Sequence, residues 1–170
     1  RATMLTRRQI LLGTAGVAVA TAGGIALLRG QSTTATSASD GTFEITKTPE
    51  EWRKLLTPQE YAELREADTE ARWTSPLNKE KRKGTFACAG CELPLFKSET
   101  KFESGTGWPS FYEPIDGNIG KAKDFSWGMF RDEVHCRRCG GHLGHVFNDG
   151  PKPTGLRYCI NGVALKFIPA

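Results

Sequence analysis

Two C-x-x-C units, Cys88-Ala89-Gly90-Cys91 and Cys136-Arg137-Arg138-Cys139, constrain this chain more than any other feature. A C-x-x-C turn brings two sulfurs to one side of a tight loop. Two such turns complete an S4 shell suited to tetrahedral zinc or to iron. The 44 residues between them exceed the spacing of an ordinary zinc finger, so the expected object is a clip between distant parts of a fold. A pair of disulfides or of redox dithiols is the competing reading, open to an exported protein; the spacing favours a structural metal. A closed shell of four thiolates leaves no position for substrate, so its role is to hold the fold. Cys159 is left over.

The chain around the clip reads as mainly β. From Thr85 onward glycine and proline recur every few residues. The apolar segments between them are short: Thr85–Cys88, Leu95–Phe96, Ser126–Phe130, Val134–Cys136, His145–Phe147, Leu156–Ile160 and Val163–Ile168. This pattern predicts a small antiparallel β domain with little helix. Two short helices precede it. Thr48-Pro49-Glu50-Glu51 and Thr57-Pro58-Gln59-Glu60 each place a capping hydroxyl, a first-turn proline and a glutamate at the third position. They predict helices over Pro49–Leu56 and Pro58–Glu66, with Trp52, Leu55, Leu56, Tyr61 and Leu64 able to face the body.

Residues 1–40 read differently, as a leader and linker ahead of one domain over residues 41–170. Arg7-Arg8 precedes an uncharged, proline-free apolar run from Ile10 to Leu28, which resembles a twin-arginine export signal. Gly13, Gly16, Gly23 and Gly24 keep the run only mildly hydrophobic. A membrane anchor is the competing reading, since nineteen residues of helix cover ~28 Å. The expected location is therefore the periplasm, or the membrane if the leader is not cleaved. Twin-arginine export passes folded proteins, so zinc could be loaded before oxidation pairs the thiols. Four arginines against Asp40 give this segment +3 of the chain's +4, and residues 41–170 hold 19 Lys/Arg against 18 Asp/Glu. A nearly neutral body argues against a nucleic-acid partner, which needs a clustered positive face.

Cys159 sits in Arg157-Tyr158-Cys159-Ile160-Asn161. In a strand, Arg157, Cys159 and Asn161 share one face, and a guanidinium beside a thiol favours the nucleophilic thiolate. A buried cysteine acting as a small hydrophobe is the bland alternative. His142-Leu143-Gly144-His145 supplies two imidazoles close by, with Asn148 and Asp149 as side chains able to orient them. Trp73 and Trp127 read as core or rim packing.

Four segments together carry a resemblance: Cys88-x-x-Cys91-x-Leu93-Pro94-Leu95-Phe96, Ser104-Gly105-Thr106-Gly107-Trp108-Pro109-Ser110-Phe111, His142-Leu143-Gly144-His145-Val146-Phe147 and Arg157-Tyr158-Cys159-Ile160-Asn161. From Pro49 to Ala170 the chain resembles the methionine-R-sulfoxide reductase B family. The resemblance implies two small antiparallel sheets around one core, peripheral N-terminal helices and a structural zinc clip. It implies that Cys159 is the nucleophile, that His142 and His145 are the paired histidines, and that Arg157 and Asn161 are the polar residues beside the cysteine. Trp108 would receive the substrate's methyl group, with Phe147 also on the substrate. The substrate would be methionine sulfoxide, in oxidised proteins or free. A sulfoxide is a poor electrophile until its oxygen is protonated, so an acid is needed there while the thiolate attacks sulfur. Cys159 would be left as a sulfenic acid.

Many family members carry a resolving cysteine where this chain has Thr106. With four cysteines on metal, no internal thiol remains, so the expected reductant is an external thiol such as a thioredoxin-like partner. A monomer is expected. The alternatives are a non-catalytic zinc-ribbon-like binding module, which leaves Cys159 and the histidines unexplained, and a different thiol or zinc enzyme on a similar scaffold.

Overall fold

The computed structural model describes residues 43–170. The expected leader and linker lie outside the described residues. No helix among the described residues is long and apolar enough to cross a membrane.

Both helices form where the capping signals predict. In α1 (Pro49–Leu55) Thr48 caps the amide of Glu51 while the Glu51 carboxylate accepts from the Thr48 amide at 2.7 Å. In α2 (Pro58–Glu66) Thr57 and Glu60 repeat the exchange. Trp52, Leu56 and Leu64 are buried, whereas Leu55, expected to face the body, is exposed. The helix ends at Leu55, and the extended residue Leu56 turns inward in its place.

Nine strands follow: β1 (Gly84–Cys88), β2 (Pro94–Lys97), β3 (Lys101–Phe102), β4 (Ser110–Phe111), β5 (Ile119–Asp124), β6 (Arg131–Cys136), β7 (His142–Phe147), β8 (Arg157–Ile160) and β9 (Leu165–Pro169). They form two antiparallel sheets, of order β2-β1-β9 and β3-β4-β8-β7-β6-β5. The fold is mainly β, as expected. Phe86 from the smaller sheet and Phe111 from the larger meet edge-on at 4.9 Å between ring centroids, and Phe96 stacks on Phe111 at 4.3 Å. All three rings are fully buried, and burying each contributes ~1.5–3 kcal/mol. This aromatic seam joins the two sheets into one core.

Three expectations are corrected. Ser126–Phe130 is not a strand: Ser126–Gly128 is a 3-10 turn at the tip of the β5–β6 hairpin. Asp124 ties that turn down by accepting from the Ser126 amide at 2.8 Å. Residues 162–164 form another 3-10 turn, so the last strand starts at Leu165. β5 itself, Ile119-Gly120-Lys121-Ala122-Lys123-Asp124, carries too little apolar character to be seen in the sequence. It is an edge strand held by full pairing along β6.

Candidate active site

The two C-x-x-C turns meet as expected. Cys88 lies at the end of β1, Cys136 at the end of β6, and each opens a tight turn bonded back to its own carbonyl, by the Glu92 and Gly140 amides at 2.8 Å. The four sulfurs all lie within 4.8 Å of one another, with Cys88–Cys139 at 3.7 Å and Cys91–Cys136 at 3.5 Å. No pair approaches a disulfide length, and all five cysteines are free. A tetrahedral ion with metal–sulfur bonds of ~2.3 Å sets sulfurs roughly 3.8 Å apart, which matches this spacing. The electrostatics agree. Hydrogen bonds from Cys136, Cys139 and Cys88 push the Cys91 thiol far below the ordinary range, while the Cys88 thiol, donating within the same cluster, is pushed far above it. Four thiolates coexist here only around a cation. Leu64 of α2 covers the turns: a Cβ on Gly141 would come within 2.9 Å of its side chain, and one on Gly90 within 3.4 Å. Arg65 donates to the Cys139 carbonyl at 2.9 Å.

Cys159 lies in the middle of the larger sheet. Its register partners are Ser110 on β4 and His145 on β7, and Glu133 on β6 is the partner of His145. Directly opposed residues of antiparallel strands share a face, so Ser110, Cys159, His145 and Glu133 form one row across the sheet.

His142 and His145 are three residues apart, which in a regular strand puts them on opposite faces. A register shift between Val134 and His135 interrupts the β6–β7 ladder. At the same place Gly144 adopts φ +149, and a Cβ on it would collide with the Cys159 carbonyl. This bulge changes the period of β7 from two to three. Leu143 and Val146 enter the core together, and the two imidazoles emerge together, their centroids 5.5 Å apart.

Each histidine is held by a carboxylate that sequence reading missed. His142 Nδ1 lies 2.7 Å from Glu133 Oε1, and His145 Nε2 lies 2.7 Å from Asp124 Oδ2. The bond to His142 holds the Glu133 carboxyl below its ordinary range, against burial. Burial works to raise that of Asp124, but hydrogen bonds from Ser126 and His145 and the charge of Arg131 at 2.7 Å hold it well down. Both carboxylates stay ionised. Burial keeps the His145 imidazole below its ordinary value in spite of Asp124. His142 Nε2 is buried and has no protein partner. The expected orienting pair fails here. Asn148 is exposed, and Asp149 instead takes a two-pronged bond from Arg157, 2.8 Å on each side. The only signal for Glu133 and Asp124 was the β5–β6 pairing, which composition hides.

Arg157 pairs with Phe147 across β7–β8, its guanidinium 4.4 Å above that ring. Its effect on Cys159 has the expected sign but not the expected outcome. Burial pushes the Cys159 thiol up, and the Thr106 hydroxyl and the Arg157 charge only partly offset it. The resting group is therefore a thiol at neutral pH. Asn161 follows directly after β8 and keeps an extended backbone. It is buried, and its amide donates to the Leu143 carbonyl, between the histidines, at 2.8 Å.

Thr106 Oγ1 is 3.8 Å from Cys159 Sγ and is fixed by Ser104 Oγ at 2.8 Å, which also meets Ser110 Oγ at 2.7 Å. Trp108 donates its indole N–H to the Glu70 carbonyl at 3.0 Å, and the Arg72 guanidinium lies 5.2 Å from its ring. The buried Glu70 carboxylate in turn accepts from the Gly162 amide at 2.6 Å, just past Asn161. Trp73 stands at the rim, exposed.

The SelR domain model matches residues 56–169. The chain is 58% identical over 126 residues to a protein of Leptospira interrogans named peptide methionine sulfoxide reductase MsrB, covering 74% of this chain and 96% of that one. Proteins of the same name from Pseudomonas putida (strain W619) and Methanosarcina barkeri are 57% and 55% identical, over 74% and 72% of this chain and 96% and 87% of theirs.

Proposed function

The chain belongs to the methionine-R-sulfoxide reductase B family and is a peptide methionine sulfoxide reductase; from that premise we propose that Cys159 attacks the sulfoxide sulfur while the two histidines manage the protons. The observation that carries this reading is the register that sets His145 directly opposite Cys159. Asp124 accepts from Nε2–H of His145, which leaves Nδ1 free to take the thiol proton. Glu133 accepts from Nδ1–H of His142 and supports its imidazolium, whose unpartnered Nε2–H donates to the sulfoxide oxygen. The thiolate forms a bond to sulfur, and the oxygen, protonated by the two imidazoliums, leaves as water as the sulfur–oxygen bond breaks. Water then adds to the Cys159 sulfur, losing a proton to an imidazole as the sulfur–sulfur bond breaks, which gives methionine and a sulfenic acid on Cys159. Arg157 supports the thiolate, and Trp108 and Phe147 hold the substrate's methyl and thioether. Asn161 steadies the strand between the histidines through the Leu143 carbonyl.

An external thiol then displaces water from the sulfenic acid, and a second thiol releases Cys159 as a mixed disulfide is exchanged. Thr106, next to Cys159, offers no sulfur for this step. Cys88, Cys91, Cys136 and Cys139 would hold zinc, which when bound neutralises the thiolates and fixes the two turns. The Arg7-Arg8 leader supports an exported, periplasmic or membrane-held protein repairing other exported proteins. The protein acts as a monomer with a thioredoxin-like reductant and no nucleic acid. Family membership disfavours a non-catalytic zinc-ribbon module.

The test is turnover of the R and S sulfoxides of N-acetylmethionine, followed by mass spectrometry after one turnover without reductant. Consumption of the R form alone and a sulfenic acid or thiol adduct at Cys159 are expected. An intramolecular disulfide involving Cys159 overturns the external-thiol step.

A further inference from the structure

The described residues include six large apolar side chains that stand exposed, and four of them, Trp73, Phe125, Met129 and Phe130, flank the row that holds Cys159. Trp73 lies on one side. Its amide donates to the Gly107 carbonyl at 2.9 Å, and a Cβ on Gly107 would come within 3.1 Å of its indole. Gly107 follows Thr106, whose hydroxyl touches Cys159. Trp73 is also held at φ +67, a conformation that a bulky side chain rarely adopts without a purpose.

The other three side chains crown the β5–β6 hairpin, whose tip reads Phe125-Ser126-Trp127-Gly128-Met129-Phe130. Phe130 is 86% exposed, and Phe125 packs edge-on against it at 5.0 Å. The tip is closed by Asp124 and Arg131, and Asp124 is the carboxylate that holds His145. The apolar crown therefore begins one residue from the candidate site. β5 lies three strand spacings from β8, roughly 14 Å, which about four residues of extended chain cover.

We propose that Trp73 on one side and Phe125 and Phe130 on the other form a strip that binds the polypeptide flanking the oxidised methionine, selecting apolar residues within about four positions of it. This rests on the reductase reading. The argument for a peptide is continuity: its methionine side chain must enter at Cys159, so its flanks must run over the rim. Apolar side chains on both sides of that entry gain from burial against apolar flanks and nothing from the free amino acid.

The experiment compares three R-sulfoxide substrates: a nine-residue peptide with leucine and valine flanks, one with serine and glycine flanks, and N-acetylmethionine sulfoxide. The Phe125→Ser/Phe130→Ser double variant and Trp73→Gly alter exposed side chains, and glycine tolerates the φ of residue 73. The expected result is that kcat/KM for the apolar peptide, relative to N-acetylmethionine sulfoxide, falls about tenfold in each variant. The ratio for the serine–glycine peptide should move little. An unchanged apolar ratio overturns the proposal. So does binding to phosphatidylglycerol vesicles, or a concentration-dependent dimer, that is lost in the variants while the ratio holds. A wild-type protein inert toward all three substrates defeats the reductase reading itself, and the strip with it.

Discussion

Cys136 and Cys159 lie two strands apart in one sheet, yet their sulfurs keep opposite company. Around Cys136 there are three other sulfurs within 4.8 Å, sealed by Leu64 and backbone. Cys159 is paired with no other cysteine among the described residues; a hydroxyl at 3.8 Å, a guanidinium on the same face and an imidazole on the facing residue surround it. In the first setting the thiols answer one another's charge and are placed to bind a cation, which would leave nothing reactive over. In the second, charge on sulfur would be answered by a hydroxyl and a guanidinium, beside an imidazole of the kind that can take a proton. The contrast separates holding from reacting more sharply than the identity of the residue does.

Substitution at the two sulfurs should break that contrast most visibly. Cys136→Ser removes a ligand and is expected to unfold much of the domain, because structural zinc sites contribute ~10–16 kcal/mol in zinc-dependent folds; circular dichroism with a zinc chelator on the wild type should give the same transition. Cys159→Ser should leave that melting curve in place while turnover falls on the order of 10^4-fold or more. A Cys159→Ser protein that melts like Cys136→Ser would erase the distinction.

Next in size is His142→Ala, expected to lower kcat by roughly 10^2- to 10^4-fold. Glu133→Gln should lower kcat by a smaller factor across the pH profile, because the His142 Nδ1–H loses the carboxylate that accepts from it. Unchanged profiles in Glu133→Gln would detach that carboxylate from the chemistry.

The alkylation rate of Cys159 gives a third measure. Its thiol is raised by burial, so its reactivity with iodoacetamide should climb with pH and reach half-maximum above the ordinary thiol value of about 8.5. Arg157→Ala should move that midpoint further up, whereas the zinc-loaded four should stay unreactive throughout. A midpoint below 8.5 would contradict the burial argument.

The smallest effect is expected from Thr106→Cys. It sets a second sulfur beside Cys159, and should turn the product of a reductant-free turnover from a sulfenic acid into a disulfide, changing the steady-state rate by a few-fold at most. Thiol counting before and after one turnover reads it directly.

Much of this was legible in the chain. The caps of α1 and α2 are local exchanges between residues three apart, and the clip announces itself through spacing. The row Ser110–Cys159–His145–Glu133 was only half visible, because register is settled by pairing and not by composition. Reading β8 as a strand put Arg157 beside Cys159, but nothing local told that Asp149 would claim the guanidinium. The bulge at Gly144 explains why a period-two reading of β7 could not place both histidines, and the edge strand β5 explains why Asp124 was missed.

The clip also closes a ring. Once four sulfurs share a cation, the 44 residues between Cys91 and Cys136 cannot part their ends even when the sheets have come apart. Closing a loop of that length removes about 4 kcal/mol of freedom from the open chain. Thr106, Trp108, Asp124 and Glu133 all lie within it, whereas His142, His145, Arg157 and Cys159 lie beyond it. The groups that position would thus be tethered in advance, and the groups proposed to react would be delivered to them by the free tail of the chain.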